Sequence, residues 1–482
     1  MNSADDAKQR KTIPIVAAPA GADDEAMVSL YAAAKKIYPR SVQGVFAQWR
    51  WFFVALTQLV FYGLPWLEWG TRQAVLFDLA SRRFYIFGLV LYPQDFIYLT
   101  GLLVVSALAL FLFTAVAGRL WCGYACPQTV YSEIFLWIEH KIEGDRSARI
   151  RLDDADFSLE KLVKKWYKHL IWIFFSIWTG FTFVGYFTPI RDLMMEFFLT
   201  QMSSWELFWV FFYAFATYGN AGFMREQVCK YMCPYARFQS AMFDNDTLIV
   251  TYDAERGEPR GPRSKKTDLA AANLGACVDC TLCVQVCPTG IDIRDGLQYE
   301  CIGCGACADV CDTVMDKLGY ARGLVRYSTQ NAMDNHWTSK QIWQRVMRPR
   351  IQIYTMILVA ITLGLLVSLG LRTPFKVDVV RDRSTLSRIT ENGTLENVYR
   401  LQIMNAAEVQ RTFELSVKGL PGLKITTDTK VVVDAAQARW IVLSAEIPYG
   451  SAASGSHKIQ FEIQAVGNED VVVEKSVFIV PR

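Results

Sequence analysis

All twelve cysteines of this 482-residue chain fall into four groups, with none left over. Residues 277–288 read CVDCTLCVQVCP and residues 301–312 read CIGCGACADVCD. Both carry the spacing C-x2-C-x2-C-x3-C. Three cysteines two residues apart wrap one face of an iron–sulfur cubane, while the fourth reaches across to a second cubane. The spacing therefore assigns Cys277, Cys280, Cys283 and Cys311 to one [4Fe–4S] cluster, and Cys301, Cys304, Cys307 and Cys287 to another. Zinc sites rarely place three cysteines two apart, twice over. Disulfides are disfavoured in a reducing compartment. Gly303, Gly305, Ala306, Thr289 and Gly290 allow backbone N–H groups to approach the sulfurs, which raises the potential of a cluster. Asp312 stands where the first run has Pro288, and this departure removes no ligand.

The other four cysteines lie in two C-x3-C-P units, WCGYACP at 121–127 and VCKYMCP at 228–234. On a continuous helix, Cys122 and Cys126 share a face, as do Cys229 and Cys233. Two such pairs would make a soft four-sulfur site suited to Cu(I), zinc or iron–sulfur. Pro127 and Pro234 end or bend the local helix. Met224 and Met232 add thioethers beside the second pair. Small buried hydrophobes, acylated thiols and a dithiol/disulfide pair are the competing readings. Each unit follows a long apolar hairpin and a glycine, Gly118 or Gly222. That is an internal repeat, and duplicated hairpins would bring the pairs together near a pseudo-twofold axis.

Positioning these residues falls to apolar segments. Five stretches approach the about 20 apolar residues that cross a bilayer: 51–69, 96–117, 170–190, 205–224 and 351–371. Lys and Arg concentrate in 118–168 and 225–350. The positive-inside rule puts those segments and the amino terminus in the cytoplasm. Residues 372–482 then lie in the periplasm, and the protein in a bacterial inner membrane. The weakest point is the 70–95 loop, which carries three arginines although it is assigned to the outside.

The expected organisation is a multidomain membrane protein. A flexible cytoplasmic tail occupies 1–45, with a short helix at 23–37. A four-helix membrane region spans 46–245 and carries both C-x3-C-P units. A cytoplasmic two-[4Fe–4S] bacterial ferredoxin-like domain spans 246–345, and a fifth transmembrane helix spans 346–372. From 373 to 482 the pattern switches to period two, with candidate strands such as RTFELSVK and HKIQFEIQAV separated by turns. Seven or so such strands suggest a periplasmic immunoglobulin-like β-sandwich.

Several functions are disfavoured. The four histidines, His140, His169, His336 and His457, lie outside the spans, which excludes a haem held between membrane helices. The spans carry no buried Lys or Arg to mark an ion pathway. Neither a dinucleotide fingerprint nor a P-loop is present. A net charge of +3 gives no field for nucleic acid.

In this combination and order, the chain resembles the accessory proteins of cbb-type cytochrome c oxidase, the FixG, RdxA and CcoG family of membrane polyferredoxins. The resemblance runs from the polar tail through WCGYACP, VCKYMCP and the double cysteine run to the terminal β domain. It implies cupric reductase activity that supplies Cu(I) during assembly of a copper–haem oxidase. Cys122, Cys126, Cys229 and Cys233 would be the copper-reducing site. Copper chaperones or oxidase subunits would be the partners, with an unidentified cytoplasmic electron donor; a homodimer stays open. A quinol-linked relay and a non-enzymatic copper-binding scaffold remain the alternatives.

Overall fold

The computed structural model describes residues 36–263, 273–382, 387–467 and 470–481. The helix expected at 23–37 falls outside these residues but for its last two, as does most of the expected tail.

Two helices are long and apolar enough to cross a membrane. Residues Pro93–Ala117 have a mean hydropathy of 2.5 and Pro349–Gly370 of 2.2. Among their side chains, Ile97, Leu103, Met356 and Leu366 point outward, as lipid-facing residues do. The two helices touch closely, since a Cβ on Gly101 would meet Leu365 at 2.4 Å.

The other three expected spans are helical but do not reach that standard. The first, α1, runs Val45–Gly63 and carries buried Arg50. After α2 (Phe96–Ala117) come two shorter pieces, α3 (Leu120–Tyr124) and α4 (Pro127–Glu143). The third expected span belongs to α5, Leu159–Val184, whose first turns carry Lys161, Lys164, Lys165 and Lys168. The fourth, α6, is Ser204–Thr217. Its 14 residues cover about 21 Å at 1.5 Å per residue, short of a hydrocarbon core of about 30 Å. A π-helical turn, Tyr218–Met224, continues it. Glu206, unusual in an apolar stretch, closes a capping box with Ser203 at the mouth of α6. Gly180 lets α5 and α6 cross at backbone contact, because a Cβ there would lie 2.2 Å from the Val210 carbonyl oxygen.

Beyond a second π-turn, Val228–Met232, α7 spans Pro234–Met242. The ferredoxin-like module is bracketed by antiparallel strands Ile249–Tyr252 and Val325–Ser328. It contains α8 (Ala306–Leu318) and leads to α9 (Pro349–Gly370).

The carboxy-terminal domain is a sandwich of a five-stranded and a four-stranded sheet. Alternating residues of both sheets fill its core, including Phe375, Tyr399, Leu401, Phe413, Leu443, Phe461 and Phe478. Short strands Arg388–Ile389 and Lys424–Ile425 join the seven expected from periodicity.

The 70–95 loop forms a three-stranded sheet, Val75–Asp78, Arg83–Ile86 and Leu89–Leu91. Leu76, Tyr85, Val90 and Tyr92 share a core with Met404 and Ala406 of the sandwich. Two of the loop's arginines dock there: Arg72 pairs with Glu408 at 2.7 Å, and Arg83 donates to the Ala436 carbonyl at 2.9 Å. The loop and the sandwich thus occupy one end of α2 and α9, and the ferredoxin-like module the other.

Candidate iron–sulfur and thiol centre

Two cavities lie inside the ferredoxin-like module. Cys277, Cys280, Cys283 and Cys311 line the first, with Tyr252, Leu282, Met315 and Arg294. Cys287, Cys301, Cys304 and Cys307 line the second, with Cys283, Ile293 and Ile302. The last cysteine of each run stands with the first three of the other. Tight loops make the wrapping feasible: Asp279 and Thr281 have φ of 54° and 56°, and Gly303 and Gly305 have φ of 64° and 72°. The Gly303 N–H points at Cys301 Sγ from 3.4 Å.

Among the described residues, no three His, Cys, Asp or Glu side chains gather as a single metal ion requires. The four cysteines of each set line one shared space instead, as the corners of a four-iron cubane require. Burial pushes the Cys283 thiol up to about 11, and Cys301 and Cys311 to about 12. Cys304 and Cys307 are raised by burial as well. Thiolates in so dry a place need a cationic core to hold their charge. Donor set, apolar walls and inward N–H groups all fit a [4Fe–4S] cluster.

The membrane-edge cysteines are arranged differently from the continuous helix expected for them. Cys122 lies in α3, whereas Cys126 is the extended residue that caps α4. Cys229 sits in the second π-turn, and Cys233 is the extended cap of α7. The prolines cause the break, because a residue before proline avoids the α region and proline favours the first helical position. All four thiols are half-buried. Burial, then the neighbouring thiols Cys126 and Cys233, pushes Cys122 up to about 11. Cys229 rises to about 12 through burial and the nearness of Cys126, Cys122 and Cys233. The two units, far apart in the chain, therefore converge.

They converge against the second cavity. A Cβ on Gly123 would lie 2.8 Å from the Ile302 carbonyl oxygen and 2.9 Å from Cys304 Cα. Cys122 packs on the apolar group of Val286, Ile302 and Ala306.

Sequence reasoning missed the charges that hold this junction. Glu139 is 1% exposed and contacts Arg149 at 3.1 Å, Arg225 at 2.9 Å and Lys168 at 3.5 Å. Glu143 pairs with Lys168 and Lys165, each at 2.9 Å. The visible signal was Glu139 and Glu143 four apart on α4, facing the lysine-bearing turns of α5. Arg119 counted only toward the basic segment 118–168, and its partners were not anticipated. It is buried, and its guanidinium donates to the Tyr299 and Ala236 carbonyls.

Comparison with known proteins places this architecture. A 4Fe-4S dicluster domain model matches residues 224–330, and a 4Fe-4S binding domain model matches 99–144, the segment holding Cys122 and Cys126. The model of the immunoglobulin-like fold at the carboxy terminus of FixG matches 365–481. A crystal structure of a FixG-related protein from Vibrio parahaemolyticus is 26% identical over 22% of this chain and 97% of its own, with a TM-score of 0.21. Protein RdxA of Cereibacter sphaeroides is 39% identical, covering 88% of this chain and 91% of its own. Nitrogen fixation protein FixG of Rhizobium meliloti is 40% identical, covering 81% of each chain. With this identity over most of its length, the chain belongs to the family of FixG and RdxA, iron–sulfur proteins of membrane electron transfer.

Proposed function

We propose that this protein reduces Cu(II) to Cu(I) at the membrane edge and thereby supports assembly of a cbb-type cytochrome c oxidase. The observation that carries the reading is the convergence of four thiols beside the second ferredoxin cavity. Cys277, Cys280, Cys283 and Cys311 would hold one cluster, and Cys301, Cys304, Cys307 and Cys287 the other. When bound, such clusters supply one-electron storage at low potential. Cu(II) arriving at Cys122, Cys126, Cys229 and Cys233 gains one electron, and the module loses one. Thiolate sulfur favours the softer Cu(I), which draws the electron toward copper. Gly123 keeps the gap short by removing the side chain that would separate α3 from Cys304.

The protein in this reading crosses the inner membrane five times. Its ferredoxin-like module meets a cytoplasmic donor, and its sandwich meets copper chaperones or oxidase subunits in the periplasm. The docking of Arg72 and Arg83 on the sandwich supports this topology, since it gives those arginines a use outside the cytoplasm.

The test is anaerobic mixing of the reduced, cluster-loaded protein with Cu(II). Cluster reoxidation and capture of Cu(I) by a chromogenic chelator are followed together. Matched kinetics that vanish when all four membrane-edge cysteines become serine support the proposal. Full activity in that variant sinks the thiol site.

One observation favours a second reading, a quinol-linked relay. The 4Fe-4S binding model covers Cys122 and Cys126, so the four thiols would hold a further cluster. Iron analysis separates the two: about twelve irons per chain for the relay, and about eight for the copper site. Clusters inert to both Cu(II) and quinol would leave a copper-binding scaffold.

A further inference from the structure

The two ferredoxin cavities sit in opposite electrostatic surroundings. Beside the first, the Arg294 guanidinium is shared by two carboxylates, Asp279 at 2.5 Å and Asp292 at 2.6 Å. Asp312 adds a further negative charge next to Cys311. Beside the second lie two buried arginines, Arg119 with neutral acceptors and Arg50 with Glu133 and Asp309 near it. Arg119 is 6% exposed, and both groups it donates to are neutral carbonyls. One carbonyl, of Tyr299, leads into Cys301; the other, of Ala236, follows Cys233. Arg50 is 7% exposed, its Nε has no acceptor, and its nearest carboxylate, Glu133, is 3.7 Å away.

Burying a guanidinium without a partnered anion is costly. Four thiolates outweigh the positive charge of a cubane core, so a cluster in the second cavity would be the missing anion. We propose that Arg50 and Arg119 are the counter-charges of the Cys287, Cys301, Cys304 and Cys307 set, and hold its reduction potential above that of the first set. The inference rests on the two-cluster reading. Reduction adds a negative charge to a buried centre. Desolvation opposes that addition, and fixed positive charge favours it. An electron entering the module is then held on the side of the membrane-edge cysteines. Arg119 touches both neighbourhoods, so its charge also favours thiolates at Cys122 and Cys229. These arginines are positioning residues that act through charge, without contacting a substrate.

The experiment is a potentiometric titration of the full-length, cluster-loaded protein in detergent, read by electron paramagnetic resonance. Iron analysis first establishes that both clusters are present; their absence defeats the two-cluster reading itself. With both present, two waves are expected. R119Q should lower the upper wave by at least tenfold in the reduction equilibrium, about 59 mV for one electron, and leave the lower wave in place. D312N should raise the lower wave alone. Opposite movements assign each wave to its cavity. R119K, which keeps the charge, should stay near the wild-type values. R50Q serves as a second removal of charge if R119Q fails to load. The inference is overturned if R119Q or R50Q moves neither wave or both equally, or if R119K matches R119Q.

Discussion

The ferredoxin cysteines and the membrane-edge cysteines are closed by different forces. In the module, each run supplies three cysteines within seven residues to one cavity, and tight positive-φ turns bend the backbone around it. At the membrane edge, each segment supplies two cysteines, separated by a break at the proline. Nothing local completes that set. It is assembled by Glu139, which reaches from α4 to Arg225 beside the second unit, and by the contact of Gly123 with the 302–304 backbone. The first arrangement is written into a short peptide. The second exists only while several elements stay packed.

That contrast can be broken from either side. The largest effect is expected from Cys304→Ser, which should remove the second cluster and about half of the about eight irons expected of a two-cluster protein. Cys126→Ser should leave the iron of the ferredoxin module unchanged. Iron and sulfide analysis of the purified variants checks both. Next comes Glu139→Ala. It strands Arg149, Lys168 and Arg225 with a lost partner, a change that typically costs about 3–5 kcal/mol. Thermal unfolding in detergent should fall accordingly, and reactivity of the membrane-edge thiols should rise while the cluster spectra persist.

Gly123→Ala is expected to be milder, about 1–3 kcal/mol for forcing a methyl into a filled space. It should slow electron delivery to Cu(II) more than it changes the unfolding temperature, as rapid-mixing kinetics will show. The smallest effect concerns pH. In iron-free protein, Cys122 and Cys229 are raised to about 11 and about 12, above the ordinary thiol value. A raised thiol keeps its proton in the folded state while the unfolded chain has already lost it. Stability should therefore decline as pH climbs from about 9 through these values. Alkylation by iodoacetamide, mapped by mass spectrometry, should still be accelerating at the two positions when an exposed thiol has levelled off.

The legibility of the fold follows the same division. Spacing alone grouped the eight ferredoxin cysteines as the two cavities do, because a local cluster leaves a local signature. Period two revealed the sandwich strands, since Phe413, Leu415 and Val417 alternate with polar neighbours. The membrane region was harder to read. Apolar content marked the places of all five helices, but with Lys161 to Lys168 in α5 and the shortness of α6, α2 and α9 are the two among the described residues that meet the length and hydropathy of a span. The fold of the 70–95 loop was hidden because the partners of its arginines, Glu408 and the Ala436 carbonyl, lie more than 300 residues away in the sandwich. Arg119 was invisible for a different reason. Its partners are backbone carbonyls, which have no letter in the sequence.

The start of α1 carries a consequence for biogenesis. The N–H groups of its second and third residues, Phe46 and Ala47, donate to the carboxylate of Asp309 at 3.1 and 2.7 Å. Gly44 is placed so that any larger residue would strike that side chain. Asp309 lies between Cys307 and Cys311, 263 positions after Phe46. During synthesis the first helix is made long before its cap exists. The ribosome must deliver nearly the whole cysteine-bearing module before the opening turn of α1 is satisfied, so completion of the earliest helix reports that all of the module's cysteines but Cys311 have been made.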